Sequence, residues 1–84
     1  MSKLNLIKSN TNELPNNIEA EQSVIGSILV SNEIFDEINM IVSSKNFYDP
    51  MHQKIFNAIE KLIYGGMLAN PITLKNYFEN EKDE

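Results

Sequence analysis

The stretch that runs from Asp49-Pro50 to Gly65-Gly66 carries the chemistry of both its own ends. Aspartate is a strong helix N-cap, and proline suits the first helical position because the amide it lacks has no intrahelical partner there. A double glycine stops a helix, since the left-handed conformation that follows the last turn costs glycine little. In between, Met51, Ile55, Ala58, Ile59 and Leu62 recur at steps of four, three, one and three, and Phe56 and Ile63 widen the stripe. That spacing predicts a helix with one apolar face. Such a face must be buried against another element. No segment of the chain alternates as a strand, so the expected neighbours are helices.

The flanking segments supply them. A first helix is expected from Asn16 or Asn17, either of which can cap the free amides of the first turn. Glu19 and Glu21 then fall where the helix dipole favours negative charge. Ile18, Val24, Ile25, Ile28 and Leu29 form its stripe, and Glu19, Gln22 and Ser23 stay outside it. Gly26 lies within this helix, where glycine costs up to about 1 kcal/mol relative to alanine, which points to close packing by another helix. Ser31-Asn32-Glu33 is expected to end this helix and cap a second, short one. That one buries Ile34, Phe35, Ile38, Ile41 and Val42 and turns Asp36 and Glu37 outward. After the loop Ser43-Ser44-Lys45-Asn46, Phe47-Tyr48 reads as an aromatic plug. A linker, Met67 to Pro71, leads to Thr73 as the cap of a last helix carrying Leu74, Tyr77 and Phe78. The tail Glu79–Glu84 has no apolar partner and reads as a solvated end or a helix cut short. Residues 1–13 read as a flexible arm and 14–84 as the helical domain. The expected fold is all-α, a small orthogonal domain of about four helices.

Composition narrows what such a domain can do. Eighty-four residues hold one domain, with a thin stability margin. The absence of cysteine excludes disulfides and thiolate metal sites, and it fits a reducing cytoplasm. Twelve acidic residues against seven basic ones give a net charge of −5, and every basic residue is a lysine. Nucleic-acid binders draw most of their affinity from phosphate contacts and much of their base reading from arginine. The balance therefore argues against direct DNA binding, and against attraction to an anionic membrane. No apolar run approaches the roughly 18–20 residues of a membrane-spanning helix. The apolar stretch within Met1–Lys8 is too short for a secretory signal. The chain reads as soluble and cytoplasmic.

No catalytic group stands out. The glycines are Gly26, Gly65 and Gly66, and none opens the G-x-x-x-x-G-K-[ST] loop whose amides cradle phosphate. Neither a G-x-S-x-G elbow nor an H-E-x-x-H metal helix occurs. His52, the single histidine, reads as a side chain packed beside Phe47-Tyr48 with one local hydrogen bond, since no second catalytic group is recognisable beside it. Glu19 and Glu21 lie two apart and so point to different faces, which makes capping and dipole stabilisation their expected roles. Phe47, Tyr48, Phe56, Tyr77 and Phe78 could stack bases only beside a positive groove, so core packing is expected of them. Met67 and Leu68 follow the double glycine, where no helix stripe needs them. They either fold back over the core or, with Tyr64, form an exposed patch for a partner. No catalytic, cofactor-binding or metal-binding residue is assigned.

One further pattern is more specific. Leu14-Pro15, Asn17-Ile18-Glu19-Ala20-Glu21-Gln22-Ser23-Val24 and Gly26 stand in order, with Phe35-Asp36 behind them. Phe47-Tyr48, His52, Ile55-Phe56, Ala58-Ile59, Leu62, Gly65 and Pro71-Ile72-Thr73-Leu74 complete it. The run resembles the N-terminal domain of DnaB-type replicative DNA helicases over about residues 14–78, and its N-I-E-A-E-Q-S-V-x-G portion is the specific part. The sequence departs from the family pattern at Asn16 and Asn46, in the shortened Pro71-Ile72-Thr73, and in the unusual Met67-Leu68-Ala69-Asn70 before it. By that resemblance Asn17, Glu19, Glu21, Gly26, Phe47, Tyr48, His52 and Phe56 are structural signature positions.

In the family, the domain continues into a helical hairpin, a linker helix and a motor domain that uses ATP and magnesium on single-stranded DNA. The resemblance therefore implies a non-catalytic scaffold domain without a cofactor of its own. Its partners would be other helicase subunits and primase or a helicase loader. With the hairpin lacking, a monomer or a weak dimer is expected. The chain reads either as a fragment of such a helicase or as a stand-alone regulatory relative that competes for collar contacts.

Overall fold

The computed structural model describes residues 17–81. The expected arm at 1–13, the candidate cap Asn16 and the last three positions lie outside them. Among the described residues there are four helices, α1 (Ile18–Val30), α2 (Phe35–Asn39), α3 (Pro50–Tyr64) and α4 (Pro71–Glu81), with 3₁₀ turns at Asn32–Ile34 and Ser44–Asn46. Among the described residues there is no strand. The all-α reading holds.

α3 starts as its sequence dictates. The Asp49 carboxylate accepts the Met51 amide at 2.8 Å, with Pro50 next to it in the first turn. At the other end the Gly65 amide donates to carbonyls of the last turn, and Gly66 takes φ +84°, a conformation that glycine adopts without a Cβ clash. The helix is the hub of the fold, packed against α1, the 44–46 turn and α4. His52, Phe56 and Ile59 form one buried row, and Ala58 and Leu62 a second that faces α4. α4 returns along α3, so that Thr73 shares a groove with Leu62 while Glu81 shares one with Lys54. Covering two sides of α3 shifts its buried face from the expected one. Phe56 moves to the centre with no exposure, whereas Met51, in the first turn, stands 56 % exposed.

The core is aromatic at its middle. The Phe56 ring lies between those of Phe35 (5.3 Å between centroids) and Phe47 (5.1 Å), both tilted to it by less than a right angle. Ile25 and Ile28 of α1, Ala69 of the linker and Leu74 of α4 close around this cluster. Of the expected aromatic plug only Phe47 enters the core; Tyr48 is exposed, as successive residues of an extended segment point opposite ways. The second helix is shorter than its stripe suggested. It ends at Asn39, and Ile41 lies beyond it, 69 % exposed instead of buried.

The caps show which polar residue each helix end selects. Asn17 caps α1, its Oδ1 accepting the Ala20 amide at 3.0 Å. α4 is capped by Asn70 and not by Thr73: Asn70 Oδ1 accepts the Ile72 and Thr73 amides, both at 2.9 Å. Thr73 Oγ1 reaches back to accept the Asn70 amide at 2.9 Å, which closes a reciprocal box around Pro71. Proline at the first helical position fixes that register.

The close helix packing expected at Gly26 is not seen among the described residues. Among the described residues, no atom outside its own helix turn lies within 4 Å of where a Cβ would stand. Its backbone is helical, so alanine fits without strain. Gly26→Ala is therefore expected to stabilise the domain by about 0.5–1 kcal/mol. Chemical denaturation of the two proteins checks this, and a loss of stability would restore a packing role for the glycine.

Candidate interaction surface

Glu21 and His52 come together although they stand 31 residues apart. Both are buried, Glu21 with no exposure at all. The Glu21 carboxylate sits at the N-terminal end of α3: Oε2 accepts the Tyr48 amide at 2.6 Å, and Oε1 accepts the Asp49 amide at 3.3 Å. His52 Nδ1 lies 2.7 Å from the same Oε1. A carboxylate only accepts, so Nδ1 is the donor and carries the proton. The aromatic edge of Phe47 flanks the imidazole, with centroids 6.4 Å apart. Two corrections follow. Glu21 is no dipole ornament on the surface of α1 but the acceptor that ties α1 to α3, and the hydrogen bond of His52 is long-range, not local. Glu19, two residues away, is exposed, as its position on the other face requires.

The cluster ties α1 to the start of α3. It is closed to solvent, and among the described residues no serine, threonine or lysine side chain is bonded to it. Among the described residues, no group of three or more His, Asp or Glu side chains is placed to hold a metal ion. No described helix is long and apolar enough to cross a membrane.

A second long-range tie shapes the outer surface. The Asn32 side chain pairs with the backbone of Ala69 as a strand would: Nδ2 donates to the Ala69 carbonyl at 3.0 Å, and Oδ1 accepts the Ala69 amide at 2.8 Å. The same Nδ2 donates to the Ile28 carbonyl at 2.8 Å, at the end of α1. Asn32 was expected to cap the second helix; its amide group serves the linker and the end of α1 instead. Pinning Ala69 inward, with no exposure, leaves its neighbours outside, Met67 at 55 % and Leu68 at 63 %. Of the two alternatives for Met67-Leu68, exposure is the outcome. Met67 also reaches a small groove of about 170 Å³ with Leu62, Thr73 and Tyr77. Tyr64 is 60 % exposed at the end of α3, and its hydroxyl accepts from Asn39 Nδ2 at 3.3 Å.

The three candidate interface residues thus share the C-terminal end of α3 and the segment after it. Of the expected aromatic set, Phe47 and Phe56 are buried, Tyr77 and Phe78 half-buried against the core. Tyr77 and Phe78 line a groove of about 410 Å³ with Lys54, Asn57, Ala58 and Glu81. Sequence reasoning missed Asn32 and Asn70, and it missed Met40 and Ile41 as exposed residues. Only Asn70 carried a local signal, the Asn-Pro-x-Thr order that fits a capped helix start.

Comparison with known proteins gives this arrangement a family. Residues 13–84 match the model of the DnaB-like helicase N-terminal domain. The chain is 42 % identical over 69 residues, 82 % of its length, to the replicative DNA helicase DnaB of Rickettsia felis. It is 38 % identical over 81 residues to that of Rickettsia typhi. The DnaB of Buchnera aphidicola from Acyrthosiphon pisum is 33 % identical over 84 residues, 96 % of the chain. The matches span 14 %, 16 % and 18 % of those three relatives. On the match over residues 13–84 and its all-helical architecture, the chain belongs to the DnaB-like helicase N-terminal domain family.

Proposed function

We propose that this chain is a non-catalytic scaffold domain of a replicative DNA helicase, acting in the cytoplasm in helicase collar assembly and in contact with primase or a helicase loader. The observation that carries the reading is the family match across residues 13–84 in a sequence without a phosphate-binding loop. The relatives are named replicative DNA helicases, and ATP and magnesium would be used by the motor domain of such a protein. The 84 residues themselves bind neither, and the net charge of −5 argues against DNA as their direct ligand. Tyr64, Met67 and Leu68, exposed around one corner of the fold, support a role in protein contacts.

Light scattering of the chain alone, then mixed with the primase C-terminal domain of the same organism, tests the reading. The chain alone is expected to run as a monomer or a weak dimer. The mixture is expected to show the summed mass, which a Met67→Ser/Leu68→Ser variant loses. A chain that stays monomeric and ignores primase, other helicase subunits and loader would sink it.

A further inference from the structure

Along the helical path from Asn32 to Ile41 the side chains sort by face. Phe35 is buried, and Ile34, Ile38 and Val42 are half-buried, with Ile34 and Ile38 packed against the core. Glu33, Asp36, Glu37, Met40 and Ile41 stand exposed at steps of three or four, which on a helix is a single face. Met40 is 85 % exposed and Ile41 69 %, so neither contributes burial to the fold. Tyr64 meets the other side of α2, where Asn39 bonds its hydroxyl and the Phe35 ring meets it edge-on at 5.8 Å.

Charge decides what can cover it. Among the described residues no lysine lies within ion-pair distance of Glu33, Asp36 or Glu37. The sequence has no basic residue from Ser9 to Ser44. A second copy laid face to face would set carboxylates against carboxylates, and a phosphate-bearing surface would meet the same repulsion. A partner helix carrying lysine or arginine beside an apolar stripe meets both features at once, with cations over the acids and apolar side chains on Met40 and Ile41.

We infer that the outer face of α2 and its flanking turns, from Glu33 to Ile41, docks a basic amphipathic helix of a partner protein. This rests on the reading of the chain as a binding module and adds a place and a partner chemistry to it. The probe is a fluorescent peptide of leucine and lysine at helical spacing, with a second peptide carrying glutamate for every lysine. The lysine peptide is expected to bind the chain and the glutamate peptide is not. Asp36→Lys/Glu37→Lys weakens the lysine peptide about tenfold and creates binding of the glutamate peptide. Met40→Ser/Ile41→Ser weakens the lysine peptide by about tenfold as well, through lost apolar contact. Glu79→Lys/Glu81→Lys makes the same change in net charge on α4 and is expected to stay within about twofold of the parent, because salt screens distant charges.

Equal weakening by the α2 and α4 reversals would show that net charge, and not this face, attracts the peptide, and would overturn the inference. So would a lysine peptide that does not bind at all. Primase bound with unchanged affinity by the α2 variants, beside a silent peptide, would sink this inference alone. A peptide bound at α2 by a chain that ignores primase, other subunits and loader would sink the helicase-scaffold reading alone.

Discussion

Glu21→Ala is expected to remove about 3–5 kcal/mol of stability, because it strands several hydrogen-bond donors at about 1–3 kcal/mol each. The Glu21 carboxylate receives the Tyr48 and Asp49 amides and His52 Nδ1, and among the described residues those two amides have no other acceptor. Truncation leaves all three donors buried or half-buried and unpaired, and it frees the segment that starts α3. An 84-residue domain has roughly 4–13 kcal/mol in total at 0.05–0.15 kcal/mol per residue, so this one change takes a large share of it. Glu21→Gln keeps the shape but turns one acceptor into a donor that faces other donors, and about 2–3 kcal/mol is expected. Glu19→Ala, exposed in the same turn, is expected to stay within about 0.5 kcal/mol. Urea denaturation of the three variants separates the accounts. If Glu21→Ala and Glu19→Ala cost the same small amount, then dipole stabilisation is the whole role of Glu21.

The contrast between those two glutamates marks how far the sequence can be read. Helix existence was legible because it rests on local chemistry: Asn17, Asp49-Pro50 and Gly65-Gly66 act within one turn of where they stand. The apolar periodicity was legible for the same reason, and it gave the all-helical class and most of the core. What periodicity does not hold is which side of a helix has two neighbours. α3 is covered by α1 on one side and α4 on another, so its buried face shifted away from Met51 and onto Phe56. Nor does it hold contacts made at a distance. Glu21 reaches His52 across 31 residues and Asn32 reaches Ala69 across 37, and each is a polar residue whose local surroundings suggest a cap. The candidate interface was half legible. Met67 and Leu68 stood out because no helix needed them, whereas Ile41 hid inside an apparent stripe that the five-residue α2 is too short to use, and Met40 beside it carried no signal.

Phe56→Ala is expected to be as damaging as the loss of Glu21, by about 3–5 kcal/mol, for a reason of shape alone. The ring has no exposure, and it separates Phe35 from Phe47 at centroid distances of 5.3 and 5.1 Å. Those two neighbours come from different segments, α2 and the loop before α3, so neither can move into the gap without dragging backbone. Phe47 is held by the Gln53 side chain on its carbonyl at 2.6 Å, and Phe35 by the turn that Asn32 opens. A cavity that cannot collapse carries the larger penalty. Phe78→Ala provides the comparison, since that ring is only half-buried beside an open groove and about 1 kcal/mol is expected. The larger loss should also travel outward. Phe35 is the buried anchor of α2, so a loosened Phe35 frees the helix that carries the outer face. Thermal unfolding gives the stability, and the lysine-peptide titration gives the surface. A Phe56→Leu variant that recovers most of the stability is expected to recover peptide affinity with it. Stability lost by Phe56→Ala with peptide affinity intact at low temperature would show that the outer face does not depend on the aromatic core beneath it.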